Sequence, residues 1–212
     1  MKRKKNMSIS QPKSKAKAVD NPMKKTTGKF RVSFPNLFEP SAMEGGTPKY
    51  GVTMLFPKGA DLSGLEAAYD AAVADGTERL WKNKTPKQLR NPFRDGDEED
   101  GYCDRDGYPG HIFIRASSKS PVGIVHKEKD PETGKPRVID DPAEVYAGCF
   151  ARATVVAYAY DTAGNKGIAF GLQNVQKLAD GDSFSGRKSA EDDFADDLDD
   201  EEDDMDDDFL EE

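Results

Sequence analysis

The segment EVYAGCFARATVVAYAYD, residues 144–161, alternates large and small side chains, and a turn at 161–167 (DTAGNKG) sends the chain back through IAFGLQNVQKL, residues 168–178. Period-two alternation marks strands, and the Gly-Asn turn joins the pair into a long antiparallel hairpin. A chain with this hairpin near its end must fold around a sheet.

Shorter alternating runs precede it. In KFRVSF (29–34), Phe30, Val32 and Phe34 face one way while Lys29, Arg31 and Ser33 face the other. A Pro- and Gly-bearing loop leads to KYGVTMLF (49–56), with Tyr50, Val52, Met54 and Phe56 in register. The period then changes. Leu62, Leu65, Tyr69 and Val73 fall at helical spacing, Ser63 and Glu66 form a capping-box pair, and Gly76 is expected to break or end the helix. Residues 91–110, rich in Gly and Asp, read as a long loop of the kind that is functional or mobile. HIFIRAS (111–117), VGIVH (122–126) and VID (138–140) read as further strands. About five or six mostly antiparallel strands, with one helix after the second, predict a mainly β fold: an OB-like Greek-key barrel with one inserted helical segment.

Charge divides the chain in three. Residues 191–212 hold sixteen Asp or Glu and no Lys or Arg, which leaves 31 basic against 24 acidic residues in 1–190. Residues 1–25 carry nine Lys or Arg against Asp20, so 26–190 is close to neutral. Both ends have too few apolar residues to offset the entropy of ordering and are expected to be disordered. The division is therefore a basic arm (1–25), a folded domain (26–180) and an acidic tail (181–212). Because the folded part is nearly neutral, any anion-binding surface on it must be a local patch. The arm is not followed by an apolar run, no window is long enough to span a bilayer, and two distant cysteines, Cys103 and Cys149, fit a reducing compartment; a cytoplasmic location is expected.

On the long strand, Tyr146, Phe150, Arg152, Thr154, Val156, Tyr158 and Tyr160 share one face, opposite Ala147, Cys149, Ala151 and Ala153. Phe150 and Val156 are expected in the core, whereas Tyr158 and Tyr160, near the turn with Lys166, suit a platform on which bases stack. In the loop, Phe93, Tyr102 and Tyr108 alternate with Arg94 and Arg105. On HIFIRAS the polar face bears Phe113 and Arg115, with Lys119 beyond. That face suits a base above Phe113 with phosphates beside it, or else the loop covers the ring. The carboxylates between Asp95 and Asp106 offer a second reading, a metal-dependent nuclease, although their spacing fits no calcium-loop pattern. No zinc pattern, phosphate-binding loop, dinucleotide fingerprint or nucleophilic triad is present, so neither an enzyme nor a cofactor is expected. A third reading is an acidic scaffold or chaperone that binds no DNA.

The ordered set TTGKFRVSFPNLFEP, KYGVTMLFPKG, NPFRDGD, GHIFIRASSKSPVGIV, the 145–181 hairpin and SGRKSAEDDF resembles a family of tailed-phage single-stranded DNA-binding proteins over nearly all of 26–194. The resemblance implies an OB fold that binds single-stranded DNA without strong sequence preference during phage replication and recombination. The candidate DNA-contacting residues are Arg31, Phe93, Arg94, Tyr102, Tyr108, Phe113, Arg115, Lys119, Arg152, Tyr158, Tyr160 and Lys166.

The acidic tail carries its own logic. A tethered polyanion competes with DNA for the same cations at high effective concentration, and DNA would free it to recruit replication partners such as a polymerase, helicase or recombinase. Phe194, Leu198, Met205 and Phe209 are spaced 4, 7 and 4 apart, with Leu210 adjacent, so a helix induced in a partner's groove would align the first four. Self-association into a homo-oligomer is compatible with this reading.

Overall fold

The computed structural model describes residues 21–42, 46–162 and 164–184. Most of the basic arm and the tail positions Phe194, Leu198, Met205, Phe209 and Leu210 lie outside the described residues. Among those described, nine strands and one α-helix follow in the order β1 (Lys24–Thr26), β2 (Phe30–Ser41), β3 (Lys49–Pro57), α1 (Ser63–Arg79), β4 (Arg94–Asp95), β5 (His111–Ser118), β6 (Gly123–Lys129), β7 (Pro136–Val138), β8 (Phe150–Thr162) and β9 (Asn165–Ala179).

Five of the strands close a ring. β2 pairs with β3, β3 with β5, β5 with β9, β9 with β8, and β8 returns to β2; only the β5–β9 contact in this ring is parallel. Closure of five strands with one parallel join is the OB arrangement. The hairpin makes closure possible because its long strands each serve two neighbours. β8 meets β2 at Phe150 and Ala151 and β1 at Thr154–Val156, while β9 meets β5 at Phe170 and Gly171 and β6 at Asn174–Lys177. Lys24 and Lys25, assigned by charge to the arm, are therefore strand residues.

The inside of the ring holds Phe30, Val32, Val52, Met54, Phe56, Ile114, Ala116, Ile168, Phe170, Leu172 and Val175, all buried. β8 contributes its small residues. Ala151, Ala153, Val155 and Ala157 are inside, so Phe150 and Val156, expected in the core, instead lie on the outer face. Small side chains are required there because α1 packs onto β8. Its buried residues Leu65, Ala68, Ala72 and Gly76 complete the core.

Two expectations for α1 are corrected by the same packing. Gly76 does not end the helix, which runs on to Arg79; it is buried because a methyl there would overlap the Cβ of Ala159 and crowd the Trp81 ring. Nor does Ser63 cap the helix: Leu62 is the N-cap residue, and Asp61 Oδ1 accepts from Ser63 N at 3.0 Å. Gly76→Ala is expected to lower the urea unfolding midpoint. Overpacking costs about 1–3 kcal/mol, which outweighs the roughly 1 kcal/mol alanine gains in helix propensity. An unchanged or higher midpoint would mean that α1 does not bear tightly on β8.

Candidate nucleic-acid interface

Filling the ring from inside fixes what the strands present outside. With Val52, Met54, Ile114, Ala116 and Phe170 turned inward, the alternate residues Gly51, Thr53, Arg115, Ser117, Ala169 and Gly171 point away from the core. Register lines them up across strands: Gly51 opposes Ser117, Ser117 opposes Gly171, and Gly171 opposes Val156. In the neighbouring row Thr53 opposes Arg115, and Ala169 opposes Tyr158. The result is a low floor of Gly, Ser and Ala crossing β3, β5 and β9 and bounded on β8 by Val156 and Tyr158. At Gly51 a Cβ would stand only 3.1 Å from the Ala116 carbonyl oxygen, so the floor has no spare depth for a side chain.

Aromatic rings rise at both ends of the floor. Tyr158, 42% exposed, lies over Gly171, with Tyr160 two residues further along the same face. At the other end stand Tyr50 and Phe34, the latter 46% exposed. Arg115 is exposed between them and lines two cavities. One, of about 360 Å³, is bounded by Phe34, Asn36, Lys49 and Tyr50. The other, of about 490 Å³, is bounded by Arg90, Asn91, Arg94, Tyr160 and Ala169. Arg90 is held in place by its backbone, whose N–H donates to Lys166 O at 2.9 Å, and bridges to Gly167.

The rest of the outer face of β3 and β5 is roofed. Leu55, Phe113 and Tyr108 form a second buried cluster, and Tyr102 packs on it with ring centroids 4.8 Å from Phe113 and 5.1 Å from Tyr108. The Tyr108 hydroxyl lies 3.2 Å from Ser33 Oγ, and burial pushes its phenol pKa up. Arg94 lies 5.3 Å from the Phe113 ring centre and Arg105 5.1 Å from that of Tyr102. The roof is pinned by charge: Lys58 Nζ sits 2.7 Å from both Asp95 Oδ1 and Asp97 Oδ2, Asp97 Oδ1 accepts from Gly110 N at 2.7 Å, and Arg94 pairs with Glu99.

This arrangement separates the sequence candidates. Arg94, Arg115, Tyr158 and Tyr160 come together on the open face. Phe113 and Tyr108 do not, because the loop closes over them; they are corrected to core residues. Phe93 also turns inward, packing edge-on against Tyr69 and Phe170 at 6.0 and 5.9 Å. Tyr102 is half-buried as the roof's outer layer. Arg31, expected on phosphate, is an internal fastener: Nε donates to Gly148 O at 3.1 Å, Nη2 donates to Asp182 O at 2.6 Å, and the guanidinium lies 4.4 Å from the Phe184 ring centre. Arg152 donates to Gln176 Oε1 at 2.6 Å, further along β8 from the floor. Lys166 pairs with Asp161 at 3.2 Å beside the hairpin turn, and Lys119 is exposed just past β5.

Sequence reasoning missed Phe34, Tyr50 and Arg90. Phe34 was assigned inward by alternation, and Tyr50, in unbroken register with Val52 on β3, was not singled out although it lines the cavity; Arg90 had only its place beside the Asn91–Gly110 loop as a signal. Of the carboxylates considered for a metal, Asp95 and Asp97 are paired with Lys58 and Glu99 with Arg94.

Against this geometry, a family model described as Enterobacter phage Enc34, ssDNA-binding protein, matches residues 23–210. The chain belongs to that family. A curated relative, "Putative protein p50" of Acyrthosiphon pisum secondary endosymbiont phage 1, is 32% identical over 186 residues, 83% of this chain and 94% of the relative. Among solved structures, the single-stranded DNA-binding protein of bacteriophage Enc34 in complex with ssDNA shares the fold with a TM-score of 0.63 at 22% identity, covering 80% of this chain and 97% of that one. Gp2.5, a single-stranded DNA-binding protein of bacteriophage T7, shares it with a TM-score of 0.52 at 16% identity, covering 82% of this chain and 93% of that one.

The pins of the roof set its response to pH. Lys58 holds the Asp95 and Asp97 carboxyls below the usual carboxylate range, and they in turn raise the Lys58 ammonium. A depressed carboxyl contributes stability above its unfolded pKa of about 4, lost as pH falls through the folded value; a raised lysine contributes below its unfolded value of about 10.4, lost as pH rises through the folded one. Exchange protection of the Gly96 and Gly110 amides is thus expected to hold from about pH 4 to about pH 10 and to fall on acidification below that range. Lys58→Met should speed exchange at both amides several-fold at neutral pH; unchanged exchange would mean that packing alone secures the roof.

Proposed function

We propose that this protein is a non-catalytic binder of single-stranded DNA, without sequence preference, acting in phage DNA replication and recombination. The observation that carries the reading is the open face itself: a Gly and Ser floor crossed by Arg115, with exposed aromatic rings at each end. Bases stack on any π-face, and guanidinium groups meet phosphates whatever the base, so such a surface favours an unpaired strand over a particular sequence. Arg90, Arg115 and Lys119 supply the cations, and Tyr50, Tyr158 and Tyr160 the rings, while Arg94 stays paired with Glu99 at the edge of the roof. Family membership supports the reading, as does the solution of the Enc34 protein's structure in complex with ssDNA.

The acidic residues 191–212 complete the proposal. They compete with DNA for the same cations when the groove is empty and are released to replication partners, such as a polymerase, helicase or recombinase, when it is filled. The action takes place in the host cytoplasm. The alternative of a metal-dependent nuclease is disfavoured in the loop that suggested it, where Asp95 and Asp97 are paired with Lys58 and Glu99 with Arg94.

Fluorescence anisotropy on labelled oligonucleotides at several salt concentrations tests this. Arg115→Gln is expected to weaken binding and flatten the dependence of log K on log salt by roughly 0.7, one phosphate contact on a single strand. Tyr158→Ala is expected to cost about 1–3 kcal/mol. Equal affinity and slope in both variants would place the DNA elsewhere. Truncation after Phe184 should tighten binding; affinity equal to that of the full chain would remove the competitive role of the tail.

A further inference from the structure

Along β2, Phe30 and Val32 face the core, and alternation would send Phe34 there too. Instead the register against β3 shifts between Ser33 and Asn36. Ser33 is buried against the Tyr108 hydroxyl, and the Phe34 ring emerges on the outside, 46% exposed. Its backbone has φ 46°, in the left-handed region that a bulky side chain avoids. The next residue is Pro35, whose ring disfavours helical backbone at the residue before it and favours an extended one. The strain is offset only in part by packing, since the ring is half open to solvent with the Arg105 guanidinium 5.6 Å from its centre. Strain of this kind persists where a side chain must be aimed for a purpose.

What the ring is aimed at is visible from the two cavities it lines. One is the cavity of about 360 Å³ bounded by Tyr50, Gly51 and Arg115. The second, of about 580 Å³, is bounded by Tyr108, Ala147 and Phe184, with Arg105 at its wall. The geometry points to Phe34 as a wedge between two nucleobase subsites: one base stacks on each face of the ring, displacing the Arg105 guanidinium that lies over it, and the step between them is unstacked. This rests on the single-stranded DNA reading and extends the binding track past Tyr50 into a subsite beneath Phe184. Asp104 and Asp106 also line the second cavity, and their charge opposes a phosphate there. The neutral base therefore enters while the backbone stays outside, with Arg105 available to stack.

Full-length protein and a short oligonucleotide carrying two adjacent 2-aminopurines, whose emission rises when the step unstacks, provide the test. Wild-type protein is expected to bind with a rise in emission, and Phe34→Trp to keep both. Phe34→Leu, which retains the Cβ and apolar bulk without a π-face, should weaken binding about tenfold or more and lose the emission rise. Phe34→Gly should do the same while raising the thermal unfolding midpoint, because glycine accepts the positive φ. Wild-type-like affinity and emission in the Leu and Gly variants would overturn the wedge while leaving DNA binding in place. Failure of the wild-type protein to bind any oligonucleotide would overturn both readings.

Discussion

The burial of Phe113 and Leu55 beneath Tyr102 and Tyr108 is the contact on which the rest of the architecture depends. A five-stranded barrel can hide only one face of each strand, so every large apolar residue on the outer face must find separate cover. Here the 91–110 loop supplies it over one half of β3 and β5, and the cover stops where the outward residues become Gly51, Arg115 and Ser117. The bare half begins there. Had the roof extended further, Arg115 would be enclosed; had it been absent, Phe113 and Leu55 would have formed an exposed apolar patch.

Closure of the barrel by the 150–179 hairpin sets the other limit. Because α1 presses on the small residues of β8, the large ones are forced outward, which stands Tyr158 over the small residue Gly171 and beside the opposed Ala169. The C-terminal end of the domain is tied to the same frame. The Tyr146 hydroxyl donates to Asp180 Oδ1 at 3.0 Å, Lys177 pairs with Asp180 at 2.7 Å, and Phe184 N donates to Ala147 O at 3.0 Å. Residues 181–184, grouped by composition with the acidic tail, are thus packed on the barrel, where Phe184 lines a cavity together with Phe34 and Arg105.

Much of this was legible in the sequence. Val52, Met54 and Phe56, Ile114 and Ala116, and the whole 150–179 hairpin follow from period two, and Leu65, Tyr69 and Val73 from period three to four. What period cannot supply is sign: the strand at 150–160 alternates cleanly, but only the arrival of α1 decides that its small face is the inner one. Local deviations were also hidden. The bulge that everts Phe34 leaves the alternation of KFRVSF intact, and Gly76 looks like a helix stop until Ala159 is placed against it. The roof depends on Tyr102, Tyr108 and Phe113, six and five residues apart, meeting through turns that no periodicity encodes.

The central claim is that an unpaired strand lies across the open half of the barrel's outer face. Amide chemical-shift changes in ¹⁵N-labelled protein titrated with a short single-stranded oligonucleotide test it most directly. The largest changes are expected at Gly51, Ser117, Gly171 and Tyr158, with the roof interior at Phe113 and the helix face of α1 nearly unmoved. Changes centred on α1 or on the β6–β7 hairpin, with the Gly51–Ser117–Gly171 row silent, would contradict the account.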